Sequence, residues 1–118
     1  MSLEEQTKGQ IEAVISEAIV QFEKNYMGRG PEETRAYLID DLILVRLKGV
    51  MTRAELQLAQ SERRERGRDL IKQVRIELLE EARPLLEQIV HSATGRKLRS
   101  LHTDISTKTG ERVIIFIL

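Results

Sequence analysis

Two adjacent carboxylates, Asp40 and Asp41, interrupt an apolar stretch of this 118-residue chain, and acids in such surroundings can hold a hard cation or act as an acid–base pair. Their adjacency works against both roles. Within one extended strand, neighbouring residues point to opposite faces, so the two share an ion only across a bulge and with a further acid from elsewhere. Pairing with Arg35 or Arg46, or capping a backbone amide, satisfies such carboxylates more simply. Ser100, His102, Asp104 and Ser106 alternate along one strand face and contain the ingredients of a nucleophilic triad. Residues two apart on a strand lie roughly 7 Å from each other, so His102 can reach Asp104, but the spacing implies neither an aligned serine nor an oxyanion hole. A polar patch facing solvent or a partner subunit accounts for the same residues.

The loop Gly28-Arg29-Gly30-Pro31, with Arg35 nearby, offers backbone amides and guanidinium groups to an anion such as phosphate or bicarbonate. It lacks the length and the lysine of a phosphate-binding P-loop, and a helix stop followed by a rigid turn explains it without a ligand. Residues 61–69 carry Arg63, Arg64, Arg66 and Arg68, yet Glu62, Glu65 and Asp69 are interleaved, leaving one surplus positive charge. With two tyrosines and two phenylalanines in the whole chain, stacking platforms for bases are missing, and no nucleic-acid partner is expected. His91 and His102 are not at ligand spacing and cysteine is absent, so neither a zinc site, a disulfide nor any other cofactor is expected. These groups converge on no catalytic arrangement, and the expectation is a protein that is not an enzyme.

The elements that must position these residues follow from periodicity. Ser2 and Glu5 have capping-box spacing, and Ile11, Val14, Ile15, Ala18, Ile19 and Phe22 recur at three and four, which predicts a helix over 3–27 that Gly28 stops. Residues 37–48 read as one strand, with Tyr37, Ile39, Asp41, Ile43, Val45 and Leu47 on one face and Leu38, Asp40, Leu42, Leu44, Arg46 and Lys48 on the other. Apolar residues on both faces predict a strand covered on both sides, by helices, by a second subunit or by one of each. Thr52 and Glu55 start a short helix to about Gln60. Leu70, Ile71, Val74, Leu78, Ala82, Leu85, Leu86 and Ile89 then predict a long helix over 64–92, open to continuity with the short one. Pro84 predicts a kink or break over 80–84. Beyond Gly95, residues 98–106 and 111–118 form a hairpin around Thr107-Lys108-Thr109-Gly110, and the all-apolar run 113–118 places the last strand inside the sheet.

The expected fold is therefore α+β, in one domain over 1–118: a three-stranded, mainly antiparallel sheet, packed with a long N-terminal and a long central helix. Composition agrees, since 41% apolar and 32% charged residues suit a folded domain. Nineteen basic and nineteen acidic side chains cancel, which leaves no field to draw the chain to nucleic acid or an anionic membrane. The acidic start lacks the features of a signal peptide, and the longest apolar run is far short of the roughly 20 residues of a membrane helix. A cytoplasmic protein with no direct membrane insertion is expected. So thin a sheet, apolar on both faces, is most simply completed as a homodimer.

The runs Gly28-Arg29-Gly30-Pro31 and Arg35-Ala36-Tyr37-Leu38-Ile39-Asp40-Asp41-Leu42-Ile43-Leu44-Val45-Arg46-Leu47-Lys48-Gly49-Val50-Met51-Thr52, with the C-terminal Leu101-His102-Thr103-Asp104-Ile105-Ser106-Thr107-Lys108-Thr109-Gly110-Glu111-Arg112-Val113, resemble the MpsC-like family of small bacterial proteins. Gly67-Arg68 and the helix after it extend the likeness over nearly the whole chain. The resemblance implies a link to a sodium-translocating, membrane-potential-generating system and supplies no catalytic residues. Met51-Thr52-Arg53 departs from the leucine and proline expected around that threonine. An accessory or regulatory subunit follows, contacting a membrane ion-transport subunit and peripheral to the membrane through that partner. A small-molecule or anion-binding module is the alternative.

Overall fold

The computed structural model describes residues 6–118, in the order α1 (Lys8–Met27), β1 (Glu33–Ile39), β2 (Leu42–Lys48), α2 (Arg53–Gln60), α3 (Arg64–Glu81), α4 (Arg83–Thr94), β3 (Ser100–Ile105) and β4 (Arg112–Ile117). The class is α+β, as the periodicities indicate. The sheet, however, has four strands rather than three, in the order β1-β2-β4-β3 with every neighbouring pair antiparallel.

The extra strand arises because residues 37–48 are not one strand. Ile39 pairs with Leu42, so Asp40 and Asp41 form a two-residue hairpin turn, and Asp40 takes the left-handed conformation at φ 52°. Aspartate tolerates that conformation better than most residues, and two-residue hairpins favour it because its twist matches the strands. The turn also changes the facing. Tyr37 lies opposite Leu44 and Leu38 opposite Ile43, so Tyr37 and Ile39 share a face with Leu42, Leu44 and Arg46, while Ala36 and Leu38 share the other with Ile43, Val45 and Leu47.

Helix boundaries follow local chemistry. Thr7 and Gln10 close a capping box at the start of α1, and Gly28 ends it at φ 82°. The box expected at Ser2 and Glu5 lies outside the described residues. Thr52 and Glu55 form the expected capping box on α2. Helices α2 and α3 are separate, divided at residues 61–63. The long helix expected over 64–92 breaks at Ala82, and Pro84 falls in the first turn of α4, where its missing N–H costs no helical hydrogen bond.

All the helical packing lies on one side of the sheet. Ile43, Val45, Leu47, Ile114 and Phe116 project inward against Ile15, Ile19 and Phe22 of α1, Ile71 and Leu79 of α3, and Leu86, Val90 and Ala93 of α4, all buried. Each fully buried aliphatic side chain contributes about 1.5–3 kcal/mol. Helices α2 and α3 approach so closely at Gly67 that a Cβ there would fall on the carbonyl oxygen of Leu58.

Gly67→Ala therefore tests that crossing. In a helix interior, alanine in place of glycine normally stabilises by about 1 kcal/mol. Here the clash reverses the sign, and a net loss of about 1–2 kcal/mol is expected as a lower urea midpoint. An unchanged or raised midpoint would show that α2 and α3 separate at no cost.

Candidate functional site

Three features of the folded chain stand apart from ordinary packing. The first is the sheet face that bears no helix. Its registered rows are Ile39, Leu42, Ile117 and Ser100; then Tyr37, Leu44, Ile115 and His102; then Arg35, Arg46, Val113 and Asp104. Tyr37 and Ile39 remain 37% and 48% exposed, and Leu42, Leu44, Ile115 and Ile117 are half-buried, which leaves a contiguous apolar area open among the described residues. At the far end of the strands the face turns ionic: Arg46 pairs with Glu111 at 2.9 Å and Lys48 with Glu33 at 3.6 Å. The expectation of a strand covered on both sides is met by helices on one side only.

The second feature is a cleft of about 780 Å³ lined by Arg29, Glu32, Arg46, Lys48, Arg68 and Lys108 with the turn Thr107–Glu111. Arg29 Nη1 donates to the Met51 carbonyl at 3.1 Å, which fixes its guanidinium at the cleft wall. The Nε of Arg68 is buried without a hydrogen-bond partner among the described residues.

The third feature is a buried ionic cluster that joins the helices to the sheet. Arg75 of α3, 2% exposed, donates from Nε and Nη2 to both oxygens of Glu55 at 2.7 Å, from Nη2 to the Val50 carbonyl at 3.0 Å and from Nη1 to Glu23 at 3.3 Å. Glu23 of α1 takes a second bond from Arg112 Nη1 of β4 at 3.0 Å, and Arg112 Nε donates to Thr103 at 3.3 Å. Arg112 Nη2 has no partner among the described residues. Two arginines and two glutamates balance, as buried charges require. Burial opposes ionisation of Glu55, but the bidentate Arg75 guanidinium and the Thr52 amide outweigh it and hold the carboxyl below its usual range. Burial lowers the Arg112 guanidinium, only partly offset by Glu23 and made worse by the nearby charge of Arg75. Arg75 is likewise penalised by burial, yet its two carboxylates prevail and raise it.

The residues singled out from sequence do not form one site. Asp40 and Asp41 make the β1–β2 turn, and the Asp41 carbonyl accepts from the Leu118 amide at 2.8 Å. No group of three or more acids or histidines able to hold a metal occurs among the described residues. His102 meets Ser100 at 3.5 Å, the outer limit of a hydrogen bond, while Asp104 turns away to the Ile105 amide at 2.8 Å and Lys72 at 3.1 Å. The amide bond, then the lysine, keeps the Asp104 carboxyl below its usual range. Ser106 is used in the turn, where its Oγ accepts from the Thr109 amide at 3.2 Å. Arg29 lines the cleft with its neighbours Gly28, Gly30 and Pro31 in the adjoining loop, whereas Arg35 belongs to the open sheet face, 3.3 Å from Glu33.

The sequence profile of the family described as Na+-translocating membrane potential-generating system (MpsC) matches residues 7–118, from the cap of α1 through the last strand. The chain belongs to the MpsC family. A Bacillus subtilis (strain 168) protein, named Uncharacterized protein YbcI, is 44% identical over 112 residues, spanning 95% of this chain and 88% of that one. No solved structure matches. The two stretches that carry the MpsC resemblance coincide with the β1–β2 and β3–β4 hairpins.

The ionic cluster of this MpsC chain is not evident from motif or spacing, although it leaves a trace in the sequence. Buried positions of α3 fall every fourth residue, at Gly67, Ile71, Arg75 and Leu79, so Arg75 stands within an apolar stripe. Arg112 likewise alternates with Ile114 and Phe116 on the inward face, and Glu23 follows Ile19 by four.

Arg75→Ala leaves the buried Glu23 and the half-buried Glu55 short of their counter-charge and is expected to cost about 3–5 kcal/mol, against less than about 0.5 kcal/mol for Arg83→Ala, whose surface pair with Glu87 is open to solvent, in denaturant melts. The depressed Glu55 carboxyl adds a pH dependence. Its contribution is full above the unfolded glutamate pKa of about 4.3 and is lost as pH falls through the lower folded value. Stability should fall in that acidic window, less steeply in Arg75→Ala. Equal acid slopes in the two proteins would contradict this account.

Proposed function

We propose that the protein is a non-enzymatic accessory or regulatory component that works by protein contact. Its implied partner, taken from the family description, is a subunit of a sodium-translocating, membrane-potential-generating system. The observation that carries this reading is apolar surface left open in two separate places. One is the helix-free sheet face. The other is a groove of about 270 Å³ among Tyr26, Met27, Leu58, Leu70, Val74 and Leu78, in which Leu70 and Val74 are 44% and 52% exposed. Contiguous exposed apolar area of this kind marks interaction surfaces. Two patches allow a homodimer and a partner to be held together. No helix among the described residues is long and apolar enough to cross a membrane. On this reading the protein is cytoplasmic and reaches the membrane through its partner.

Affinity purification of the tagged chain at native expression, from gently cross-linked cells with solubilised membranes, tests the proposal. Recovery of a membrane ion-transport subunit, lost on Val74→Asp while the melting temperature holds, is the expected result. Recovery of the protein alone would overturn it.

A second reading, an anion-binding module, is favoured by the basic cleft and the unpartnered Arg68 Nε. The cleft's size is in the range of small-ligand sites. Titration with phosphate, bicarbonate and nucleotides should then raise the melting temperature, and Arg68→Ala should abolish the rise. No shift with any of them removes this reading and leaves protein contact alone.

A further inference from the structure

Resting on the contact reading, we infer that the open sheet face is self-complementary and is covered by a second copy of this chain, related by a two-fold axis parallel to the strands and passing between β2 and β4. This axis sets β1 over β3 of the second copy and β2 over β4, with each row facing the same row reversed. Leu42 then meets Ile117, Leu44 meets Ile115 and Tyr37 meets His102 of the second copy. In the ionic rows Arg35 meets Asp104 and Lys48 meets Glu111. Packing of two such faces needs strand directions within about 30° of each other, which a strand-parallel axis provides.

The charge pattern selects this axis. An axis at right angles to the strands, centred on the Tyr37 row, would set β1 over β1 and β2 over β2 with the rows inverted. Arg35 and Arg46 would then lie on Ile39 and Leu42 of the second copy, burying guanidinium groups against apolar side chains without a counter-charge. The strand-parallel axis instead sets two charges on opposite ones, Arg35 on Asp104 and Lys48 on Glu111, while Arg46, facing Val113, keeps the Glu111 carboxylate of its own chain at 2.9 Å. It also answers a feature of the single chain. Arg35 and Arg46 are direct cross-strand neighbours, a like-charge pair that disfavours the hairpin. Among the described residues, Arg35 pairs with Glu33 at 3.3 Å and Arg46 with Glu111 at 2.9 Å. A concavity of about 300 Å³ lined by Glu33, Arg35, Tyr37, Arg46 and Lys48 lies there to receive a further acid. Asp104 can supply it by exchange: its side chain is 69% exposed, and on pairing it gives up its surface bond to Lys72 of α3 at 3.1 Å for Arg35 of the second copy.

The chain has no cysteine, so introduced thiols report the arrangement cleanly. The full chain carrying both Tyr37→Cys and His102→Cys, treated with a short bismaleimide, should give a covalent dimer on a denaturing gel, whereas Tyr37→Cys alone should not. Within one chain these positions lie on opposite edges of the sheet, about 14 Å apart at the usual strand spacing, and intrachain reaction leaves the monomer band unchanged. In sedimentation equilibrium of the cysteine-free chain, Arg35→Asp and Asp104→Arg should each weaken the dimer about tenfold at low salt. Their combination should restore it to within about threefold of the parent. Leu44→Asp should abolish it with the melt still cooperative.

A monomer at all concentrations, or cross-linking by Tyr37→Cys alone, would overturn the proposal. Failure here together with recovery of a membrane partner in the purification above would reject self-pairing and leave the contact reading standing. A dimer with no partner recovered would do the reverse.

Discussion

The fold depends on the bonds that Arg75 makes. Apolar burial stabilises the layer of helices against the sheet, but it is non-directional and tolerates many placements of a helix on a flat surface. Arg75 does not. Its guanidinium makes four hydrogen bonds, two to Glu55 of α2 and one each to Glu23 of α1 and the Val50 carbonyl, and Glu23 passes the connection to Arg112 on β4. A slip of α3 by one residue would move the guanidinium about 1.5 Å along the axis and about 100° around it, leaving buried carboxylates without a counter-charge. The cluster thus fixes where α1, α2 and α3 sit relative to β4, a task for which leucine and isoleucine are poorly suited.

The one-sided architecture follows from the connections. The N-terminal hairpin β1–β2 and the C-terminal hairpin β3–β4 meet through their inner strands, and the three helices between them all return over the face that α1 already covers. The other face keeps its apolar residues because β4 alternates between two apolar sets. Ile114 and Phe116 serve the core, while Val113, Ile115 and Ile117 are left half-exposed. A sheet built only for a solvent face would carry polar residues there.

Local signals in the chain account for much of this architecture. Periodicity locates α1, periodicity with the Thr52–Glu55 cap locates α2, Gly28 and Gly95 mark the ends of α1 and α4, and the apolar C-terminal run places β4 inside the sheet. The β1–β2 turn is hidden because Asp40-Asp41 carries no glycine, asparagine or proline, and the apolar alternation resumes at once on its far side. A two-residue turn also changes which residues share a face, so reading through it makes Tyr37 and Ile39 look like partners of Ile43. The ionic cluster is hidden for another reason. Each member has a local excuse: Glu55 as a capping residue, Arg75 and Glu23 as charges on charged helices, and Arg112 beside a turn. Only their positions within apolar stripes distinguish them, and what brings them together is tertiary. The cleft is half legible, since Arg29 stands out in its glycine-flanked loop, whereas Arg68 and Lys108 come from elements far apart in the chain.

The same division of work recurs inside the molecule and on its open face. In the core, apolar area supplies the free energy and the Arg75 cluster supplies position. On the open face, the Ile39 and Tyr37 rows supply area, and the rows holding Arg35, Arg46, Lys48, Glu33, Asp104 and Glu111 supply ionic groups that can set a register. Those six side chains cancel in sign, as the whole chain does. A neutral but patterned face gives little long-range attraction and strong discrimination at contact, because misplacing it sets like charges together or buries one unpaired. On the contact reading proposed above, that is the physical profile of a surface that selects its neighbour by fit, and it shows how a chain without net charge or cysteine can gain specificity.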